Sequence, residues 1–263
     1  MTAPLSSNNQ RVKLLRRLVH DRRARHDEQK FVVDGPRALR TFHESGGALE
    51  AVFVDDLGRD DVAWLRDADV ELFTVERHVL DQIGDARGPQ GVMGVAAMAP
   101  TTLDTVLGRD IVVVLDGIQD PGNVGAIVRV AAARGAAVVV PIGNADLYSP
   151  RAVRSSAGTL PLVDAVAGVE IDHVIEQMAE AGRSIAGTEM QGGAPPGAID
   201  TSRPVVVVLG GEGTGLSEFV TTRLDQRISV PMAPHVESLN VAVTAGIVLY
   251  GLTPVGGVTD TSH

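Results

Sequence analysis

The sequence predicts an α/β protein built around a parallel sheet, and three observations support this prediction. Strand signals and amphipathic helix signals alternate along the whole chain, which is the order of βα units. Two strand candidates, I-V-V-V-L-D-G at 111–117 and P-V-V-V-V-L-G-G at 204–211, are continuously apolar, as expected of strands covered on both faces. Aromatic residues make up only 3% of the chain, so the core must consist of Val, Ala, Leu and Ile.

The length of 263 residues suits two domains, because most domains have about 100–150 residues. We expect a first domain at 1–100 and a second at 106–263, with a linker and a short helix between the two sheets. The predicted elements of the first domain are a basic helical segment at 11–26, strands at 31–35, 51–56, 70–75 and 91–98, and helices at 36–47, 60–68 and 76–84. Those of the second domain are strands at 111–117, 136–143, 183–188, 204–211 and 227–232, and helices at 124–135, 172–182 and 241–252. The strands are short apolar segments, and the helix at 36–47 ends at a pair of glycines.

Ligands of open α/β sheets bind beyond the carboxyl ends of the strands, and three such ends in the second domain have unusual residues. After the strand at 111–117, Pro121 and Gly122 predict a turn and Asn123 a helix N-cap. The helix that follows has an apolar stripe of Val124, Ile127, Val128 and Ala131. Because Arg129 lies off that stripe, it is either a solvated side chain, as a lone helical arginine usually is, or one that faces a ligand.

The second loop, G-G-E-G-T-G-L-S at 210–217, does not fit a phosphate-binding loop. Leu216 follows the last glycine where such a loop needs lysine, and the spacing is not G-x-G-x-x-G. Glu212 would also place a negative charge beside the phosphate. These features disfavour an NTPase and favour a hydroxyl-rich or cationic ligand, with a plain glycine turn as the alternative.

The third loop joins the strand at 227–232 to the apolar helix that begins at Val241. Ser238 is expected to cap this helix, whereas Asn240 is a poor helix former. Capping explains at most one of the two polar residues, so the other is expected to face a ligand.

Charge is distributed unevenly along the chain. Residues 11–26 have seven Lys/Arg and one acidic residue, a local charge of +6, which leaves −16 on the rest of a chain of net charge −10. A basic segment on an acidic body can bind RNA phosphates. The candidates for such contacts are Arg16, Arg17, Arg22, Arg23 and Arg25. The alternative is an amphipathic helix whose arginines are solvated or pair with acidic residues of the body.

Several chemistries have no support in the sequence. The chain has no cysteine, which excludes disulfides and thiolate nucleophiles. No H-E-x-x-H occurs and the seven histidines are scattered, so no metal site is expected. The N-terminus lacks an apolar signal region and the longest apolar stretch is too short to span a bilayer, so we expect a cytoplasmic protein that does not bind a membrane.

Taken together, the three loops resemble the motifs of the SpoU family of RNA ribose 2′-O-methyltransferases, in the SPOUT superfamily. The matching residues are N-V-G-A-I-V-R at 123–129, L-G-G-E-G-T-G-L-S at 209–217 and I-S-V-P-M…S-L-N-V-A-V at 228–243. The first hundred residues are similar to the ribosomal-protein-like substrate-binding domain of many members, through F-V-V-D-G-P-R at 31–37 and G-P-Q-G-V at 88–92.

The resemblance implies a deep trefoil knot, a homodimer formed through the C-terminal domain, and S-adenosylmethionine as the cofactor. It assigns the cofactor contacts to Gly210, Gly211, Val230, Met232, Leu239 and Thr188. It assigns catalysis to Arg129, which in the family reaches the cofactor of the other subunit, with a supporting shell of Asn123, Glu212, Ser238 and Asn240. Since a guanidinium hardly deprotonates, we favour Arg129 as an electrostatic stabiliser or a phosphate clamp over a general base.

The substrate class follows from the same resemblance. Two-domain members act mostly on ribosomal RNA, so a 23S ribosomal RNA ribose is the expected target, with transfer RNA as the alternative. The family includes thiostrepton-resistance methyltransferases, and the sequence leaves a housekeeping role and a resistance role equally open. An RNA-binding protein that has lost catalysis is the alternative from another class, and the presence of all five catalytic-shell residues disfavours it.

Overall fold

A computed structural model of the chain describes residues 4–55, 60–84 and 91–252, which form two compact units. The first unit contains the residues up to 100 together with 146–162, and the second contains 101–145 and 163 onwards. The segment 146–162 belongs to the first unit because its helix packs on the first strand, where Arg154 forms an ion pair with the buried carboxylate of Asp34. Residues 88–90 of the expected G-P-Q-G-V motif lie outside the described residues.

The first unit has a mixed four-stranded sheet with the order β1-β4-β2-β3. Strand β4 is antiparallel to β1 and β2, and β3 is parallel to β2. The elements are α1 (Gln10–His20), α2 (Arg22–Glu28), β1 (Lys30–Asp34), α3 (Pro36–Glu44), β2 (Leu49–Val54), a 3₁₀ helix (Asp60–Asp67), β3 (Glu71–Thr74), α4 (Arg77–Ile83), β4 (Val92–Ala97), α7 (Pro150–Ser155) and a 3₁₀ turn (Leu160–Leu162).

Helices cover both faces of this sheet, because successive strand residues point to opposite sides. On one face, Val32 and Met93 pack with the apolar sides of α1 and α4. On the other face, Phe42 of α3 contacts Phe31 edge to face, with ring centroids 5.7 Å apart. Gly94 lets α3 approach closely, since a Cβ there would collide with a methyl group of Leu39.

The second unit has a six-stranded, wholly parallel sheet with the order β10-β8-β9-β5-β6-β7. This confirms the predicted α/β class. The elements are α5 (Leu103–Leu107), β5 (Ile111–Asp116), α6 (Pro121–Arg134), β6 (Ala137–Val140), β7 (Ala165–Ala167), α8 (Ile171–Glu180), β8 (Ser184–Thr188), a 3₁₀ turn (Pro196–Ala198), β9 (Val205–Gly210), α9 (Glu218–Thr221), β10 (Gln226–Ile228) and α10 (Val241–Gly251).

The central strands β5 and β9 pair residue for residue and are almost entirely buried. On one face, Val112, Val114, Val206 and Val208 pack with side chains of α5, α8 and α9. The opposite face is covered by α6 and α10, which pack against each other. No described helix is both long enough and apolar enough to cross a membrane.

Several elements differ from the sequence prediction. The basic segment 11–26 forms two helices, because Asp21 ends α1 and caps α2 by accepting a hydrogen bond from the backbone N–H of Arg23 (2.8 Å). Residues 60–67 form a 3₁₀ helix instead of an α-helix. The short elements α7 and β7 have no counterpart in the prediction.

Candidate active site

Three side chains from the three loops meet at the carboxyl edge of the parallel sheet. The amide nitrogen of Asn123 donates to Oε1 of Glu212 at 2.8 Å. The amide nitrogen of Asn240 donates to Oδ1 of Asn123 at 2.9 Å, and lies 3.4 Å from the same Glu212 oxygen. These three residues were expected to form one site, and the structure brings them together in a single hydrogen-bond network.

Asn123 is available for this network because another residue caps its helix. Asp120 is the N-cap of α6, and its side chain accepts from the backbone N–H of Gly122 at 2.6 Å. Pro121 occupies the first helical position, where its missing N–H costs nothing. The expectation that Asn123 itself caps the helix is therefore wrong, and its side chain projects from the first turn towards Glu212.

Asn240 caps α10 and joins the network at the same time. Its Oδ1 accepts from the backbone N–H groups of Ala242 (2.9 Å) and Val243 (3.4 Å), while its nitrogen reaches Asn123 and Glu212. The expectation that Ser238 caps this helix is wrong. Ser238 is instead an exposed residue in the wall of the adjacent cavity.

Backbone contacts fix the glycine loop that carries Glu212. Gly211 and Gly215 exchange two backbone hydrogen bonds of 3.1 and 3.0 Å. Gly215 has φ +67°, a conformation that favours glycine. A Cβ on Gly210 would lie 2.5 Å from the carbonyl carbon of Gly215, and one on Gly211 would lie 2.6 Å from the carbonyl oxygen of Gly117. The loop thus has no room for side chains at these two glycines.

Asp116 is a site residue that the sequence reasoning missed. It is the last residue of β5 and is buried, and its carboxylate accepts from the backbone N–H of Ser217 at 2.6 Å. This contact ties the end of the glycine loop to the end of the central strand. The available signal was an acidic residue that closes an otherwise wholly apolar strand.

A cavity of about 400 Å³ lies beside the network. All six residues to which the resemblance assigns cofactor contacts are in its wall, and so are Glu212 and Ser238. The lining residues are Thr188, Glu189, Met190, Gly210, Gly211, Glu212, Gly213, Thr214, Gly215, Leu216, Thr221, Ile228, Val230, Met232, Ser238, Leu239, Val241 and Thr244. Among the described residues, the charged ones in the wall are Glu212 and Glu189, the latter in an ion pair with Arg227, so the electrostatics of the wall favour a cation over a phosphate.

Arg129 does not line this cavity. It is an exposed residue of α6, with the buried stripe of that helix on the other side. It lies six residues after Asn123, which places it about 9 Å further along the helix axis and about 120° around it. The structure therefore separates Arg129 from the other residues of the expected catalytic shell.

Arg25 is not available to bind RNA, contrary to expectation. It is only 5% exposed. Its guanidinium contacts Asp146 Oδ2 through Nη2 (2.6 Å) and Nε (3.0 Å), and donates to the carbonyl oxygens of Leu18 and Val19. Burial and the Asp146 carboxylate also raise the pKa of the neighbouring Tyr148 to about 12. Arg25 thus stabilises the fold of the first unit.

The other arginines of the basic segment are partly balanced by acids. Arg17 and Arg23 each face an acidic side chain of α2, at 3.7 and 3.4 Å. Arg22 is exposed and Arg16 half-buried, and no acidic partner of either is found among the described residues. The segment therefore presents fewer free cations than its sequence suggests.

The described residues also contain no group of three or more His, Asp or Glu side chains that could hold a metal ion.

Comparisons with known proteins agree across the whole chain. The model of the SpoU rRNA Methylase family matches residues 110–250, and that of the MRM3-like substrate binding domain matches residues 9–94. The chain is 28% identical to the 23S rRNA (guanosine(2553)-2′-O)-methyltransferase RlmP of Bacillus subtilis, over 94% of this chain and 97% of that protein. It is 31% identical to the 23S rRNA (uridine(2479)-2′-O)-methyltransferase of Streptomyces viridochromogenes, over 94% of this chain and 90% of that one.

Solved structures give the same result. The SpoU methyltransferase AviRb from Streptomyces viridochromogenes, crystallised in complex with the cofactor AdoMet, superposes with a TM-score of 0.83 at 30% identity. The similarity covers 93% of this chain and 97% of AviRb. An AdoMet-bound rRNA methyltransferase from Sinorhizobium meliloti superposes with a TM-score of 0.80 at 25% identity, over 94% and 95% of the two chains. The chain therefore belongs to the SpoU rRNA methylase family.

Proposed function

We propose that this protein transfers a methyl group from S-adenosylmethionine to a ribose 2′-hydroxyl of 23S ribosomal RNA. The observation that supports this most directly is the cavity bordered by the Asn123–Glu212–Asn240 network. The rRNA activity of the two relatives and the AdoMet-bound structures agree with it. Transfer RNA is the alternative substrate, but two relatives that match over at least 90% of their own length are named as 23S rRNA methyltransferases.

The cavity fits this cofactor by its charge and by its shape. S-adenosylmethionine has a net positive charge, and the charged residues of the wall that the structure describes are the carboxylates of Glu212 and of Glu189, which pairs with Arg227. Thr188 and Gly210 end strands β8 and β9, and Val230 and Leu239 lie in the loop after β10, so the four residues enclose a ligand from several sides. Close backbone packing at Gly210 and Gly211 exposes peptide groups, rather than side chains, to the bound molecule.

The side chains around the cavity orient the reacting groups and stabilise the charge that develops on them. S-adenosylmethionine, when bound, supplies a methyl group attached to a sulfonium sulfur. Glu212 is held by amide donors of Asn123 and Asn240, so its negative charge has a fixed location in the cavity wall. Arg129 stabilises the charge that develops on the attacking ribose oxygen, or binds the adjacent phosphate.

The separation of Arg129 from the cavity supports a homodimer. Val243, Ile247 and Tyr250 form a stripe on α10 at the spacing of one helix face, and they are 52%, 40% and 64% exposed. This apolar stripe lies on a helix that packs against α6, which carries Arg129. A second copy of the chain docked on this face covers the stripe and brings its own Arg129 to the first cavity.

Contacts within the C-terminal region support the proposed trefoil knot. The segment between β8 and β9 pairs with β10, where Ser229 donates its N–H to the carbonyl of Ala194 (2.9 Å). The same segment contacts the end of α10, since a Cβ on Gly251 would lie 2.6 Å from Pro196. We also propose that the protein acts in the cytoplasm, because its target is ribosomal RNA.

Calorimetry followed by a transfer assay tests the proposal. We expect S-adenosylmethionine to bind the purified protein and ATP not to bind, because the cavity has no cation for phosphates. ATP binding without S-adenosylmethionine binding would favour an NTPase instead. Cofactor and RNA binding without methyl transfer would favour an RNA-binding protein of the same fold that has lost catalysis.

A further inference from the structure

The outer side of α3 in the first unit presents cations that no acidic residue balances. Arg37 and Arg40 are exposed and lie three residues apart, so they share one face of the helix. Among the described residues neither has a carboxylate partner. In contrast, Arg17, Arg23 and Arg25 of the basic segment are all paired with acids. Arg16 and Arg22 of that segment also have no acidic partner among the described residues, so the face of α3 is a second candidate surface for an anionic partner.

The only tryptophan of the chain lies beside these cations. Trp64 is half-buried in the 3₁₀ helix at Asp60–Asp67, and its indole N–H donates to the carbonyl of Asp61 at 2.9 Å. The guanidinium carbon of Arg40 lies over the indole at 5.7 Å from the ring centroid. The imidazole of His43 lies 5.1 Å from the same ring, tilted by 42°.

This cluster combines what proteins use to bind an unpaired base. An indole gives a stacking surface, and flanking Arg and His side chains contact the phosphate or stack on the base. Phe31, Phe42 and Phe53 are buried and cannot serve in this way. We propose that Trp64, with Arg40 and His43, stacks an unpaired base of the RNA substrate. This inference rests on the proposed function, because it takes RNA as the partner.

The cluster lies on the opposite face of the sheet from α1. Phe42 and Leu39 of α3 pack on the face that contains Phe31, whereas α1 packs on the face that contains Val32. RNA that reaches Trp64 therefore approaches the α3 side. This distinguishes the inference from binding through the basic segment, and the two surfaces can be tested separately.

Because Trp64 is the sole tryptophan, its emission reports directly on stacking. We would titrate the full-length protein with a single-stranded RNA 12-mer of mixed sequence, and separately with inorganic polyphosphate, which has charge but no bases. We expect saturable quenching by the RNA and no comparable quenching by polyphosphate. Unchanged emission while fluorescently labelled RNA binds would overturn the stacking site.

Variants then measure the contribution of the ring, with affinity read from the anisotropy of the labelled RNA. Trp64→Leu is expected to bind about 5- to 150-fold more weakly, and Trp64→Phe to recover most of the affinity. Two matched controls are expected to bind like wild type: Phe73→Leu, a half-buried ring on the other face, and Arg223→Ala, a cation that stacks on Phe219 in the second unit. Circular dichroism verifies that each variant is folded. Equal affinity of Trp64→Leu and wild type would contradict the proposal.

Methyl transfer to 23S ribosomal RNA, assayed with the same preparations, separates the two proposals. Transfer by wild type without any response of Trp64 to RNA rejects the stacking site and leaves the proposed function intact. Base-dependent quenching with no transfer rejects the proposed function, whereas the stacking site stands.

Discussion

The amide of Asn240 uses its two ends for different purposes. Its oxygen satisfies two backbone N–H groups at the start of α10, and its nitrogen joins Asn123 and Glu212. Serine and aspartate also cap helices well, but only asparagine can cap with its oxygen and donate with its nitrogen. This explains why a poor helix former stands at the entrance to an apolar helix.

Substitution of Asn240 separates the two roles. Asn240→Ala removes both and is expected to lower the free energy of unfolding by about 1 kcal/mol. Asn240→Ser keeps the cap and is expected to retain wild-type stability. Both variants should slow methyl transfer by about 10- to 100-fold, because each removes donors to the Glu212 carboxylate. Urea denaturation and single-turnover rates check this, and a Ser variant with wild-type activity would reduce Asn240 to a cap.

At the scale of single residues, the sequence indicated which side chains meet at the site, but not which of them cap the helices. Asn123, Glu212 and Asn240 were chosen from their loops, and they meet. Both helix caps were misassigned, because Asp120 rather than Asn123 caps α6 and Asn240 rather than Ser238 caps α10. A side chain that bonds backbone leaves little trace in a single sequence.

At the level of elements, the basic segment shows how pattern and structure can diverge. Its apolar residues Val12, Leu15, Leu18 and Val19 have the spacing of one helix face; the first three are buried and Val19 is half-buried. Composition could not show that Asp21 divides the segment or that Arg25 pairs with Asp146, a residue 121 positions away. The three-residue strand β7 was missed for a related reason, since it is too short to show a periodicity.

Arg25 and Arg22 are expected to respond differently to the same substitution. Arg25→Met leaves the Asp146 carboxylate buried without its cation, so we expect a loss of about 3–5 kcal/mol in the free energy of unfolding. Arg22→Met, at an exposed position, should change it by less than about 0.5 kcal/mol. Urea denaturation of the two variants checks this. Equal stabilities would mean that the Arg25 ion pair contributes nothing to the fold.

At the scale of the whole molecule, the parallel sheet followed from the sequence, but the placement of Arg129 did not. A motif lists catalytic residues without saying which copy of the chain each one serves. The structure puts Arg129 outside the cavity of its own chain, and the apolar stripe on α10 indicates where a second copy docks.

A charge in the stripe should separate the subunits. Ile247→Glu places a carboxylate in the proposed interface, so we expect light scattering at micromolar concentration to show a monomer of 27.5 kDa. Its affinity for S-adenosylmethionine should stay near that of wild type, whereas methyl transfer should be lost. Ala181→Glu, at an exposed position after α8, is the control and should remain dimeric. A wild-type protein that is itself a monomer would contradict the proposed homodimer.

Mixed dimers test whether Arg129 acts on the partner's cavity. Chains with Arg129→Ala and chains with Glu212→Gln, co-expressed with different tags, should each be inactive as homodimers. A heterodimer purified through both tags contains one complete site if Arg129 acts across the interface, so about half of the wild-type activity is expected. Heterodimers without activity would show that Arg129 serves its own chain.

The central claim is transfer of a methyl group to a ribose oxygen, and alkaline hydrolysis of the product tests it most directly. Purified protein is incubated with unmodified 23S ribosomal RNA and S-adenosylmethionine labelled in the methyl group, and the RNA is then digested with alkali. A 2′-O-methyl group blocks cleavage of the next phosphodiester, so the account predicts label in an alkali-stable dinucleotide, absent with the Arg129→Ala protein. Label in mononucleotides, or no label from a protein that binds the cofactor, would contradict it.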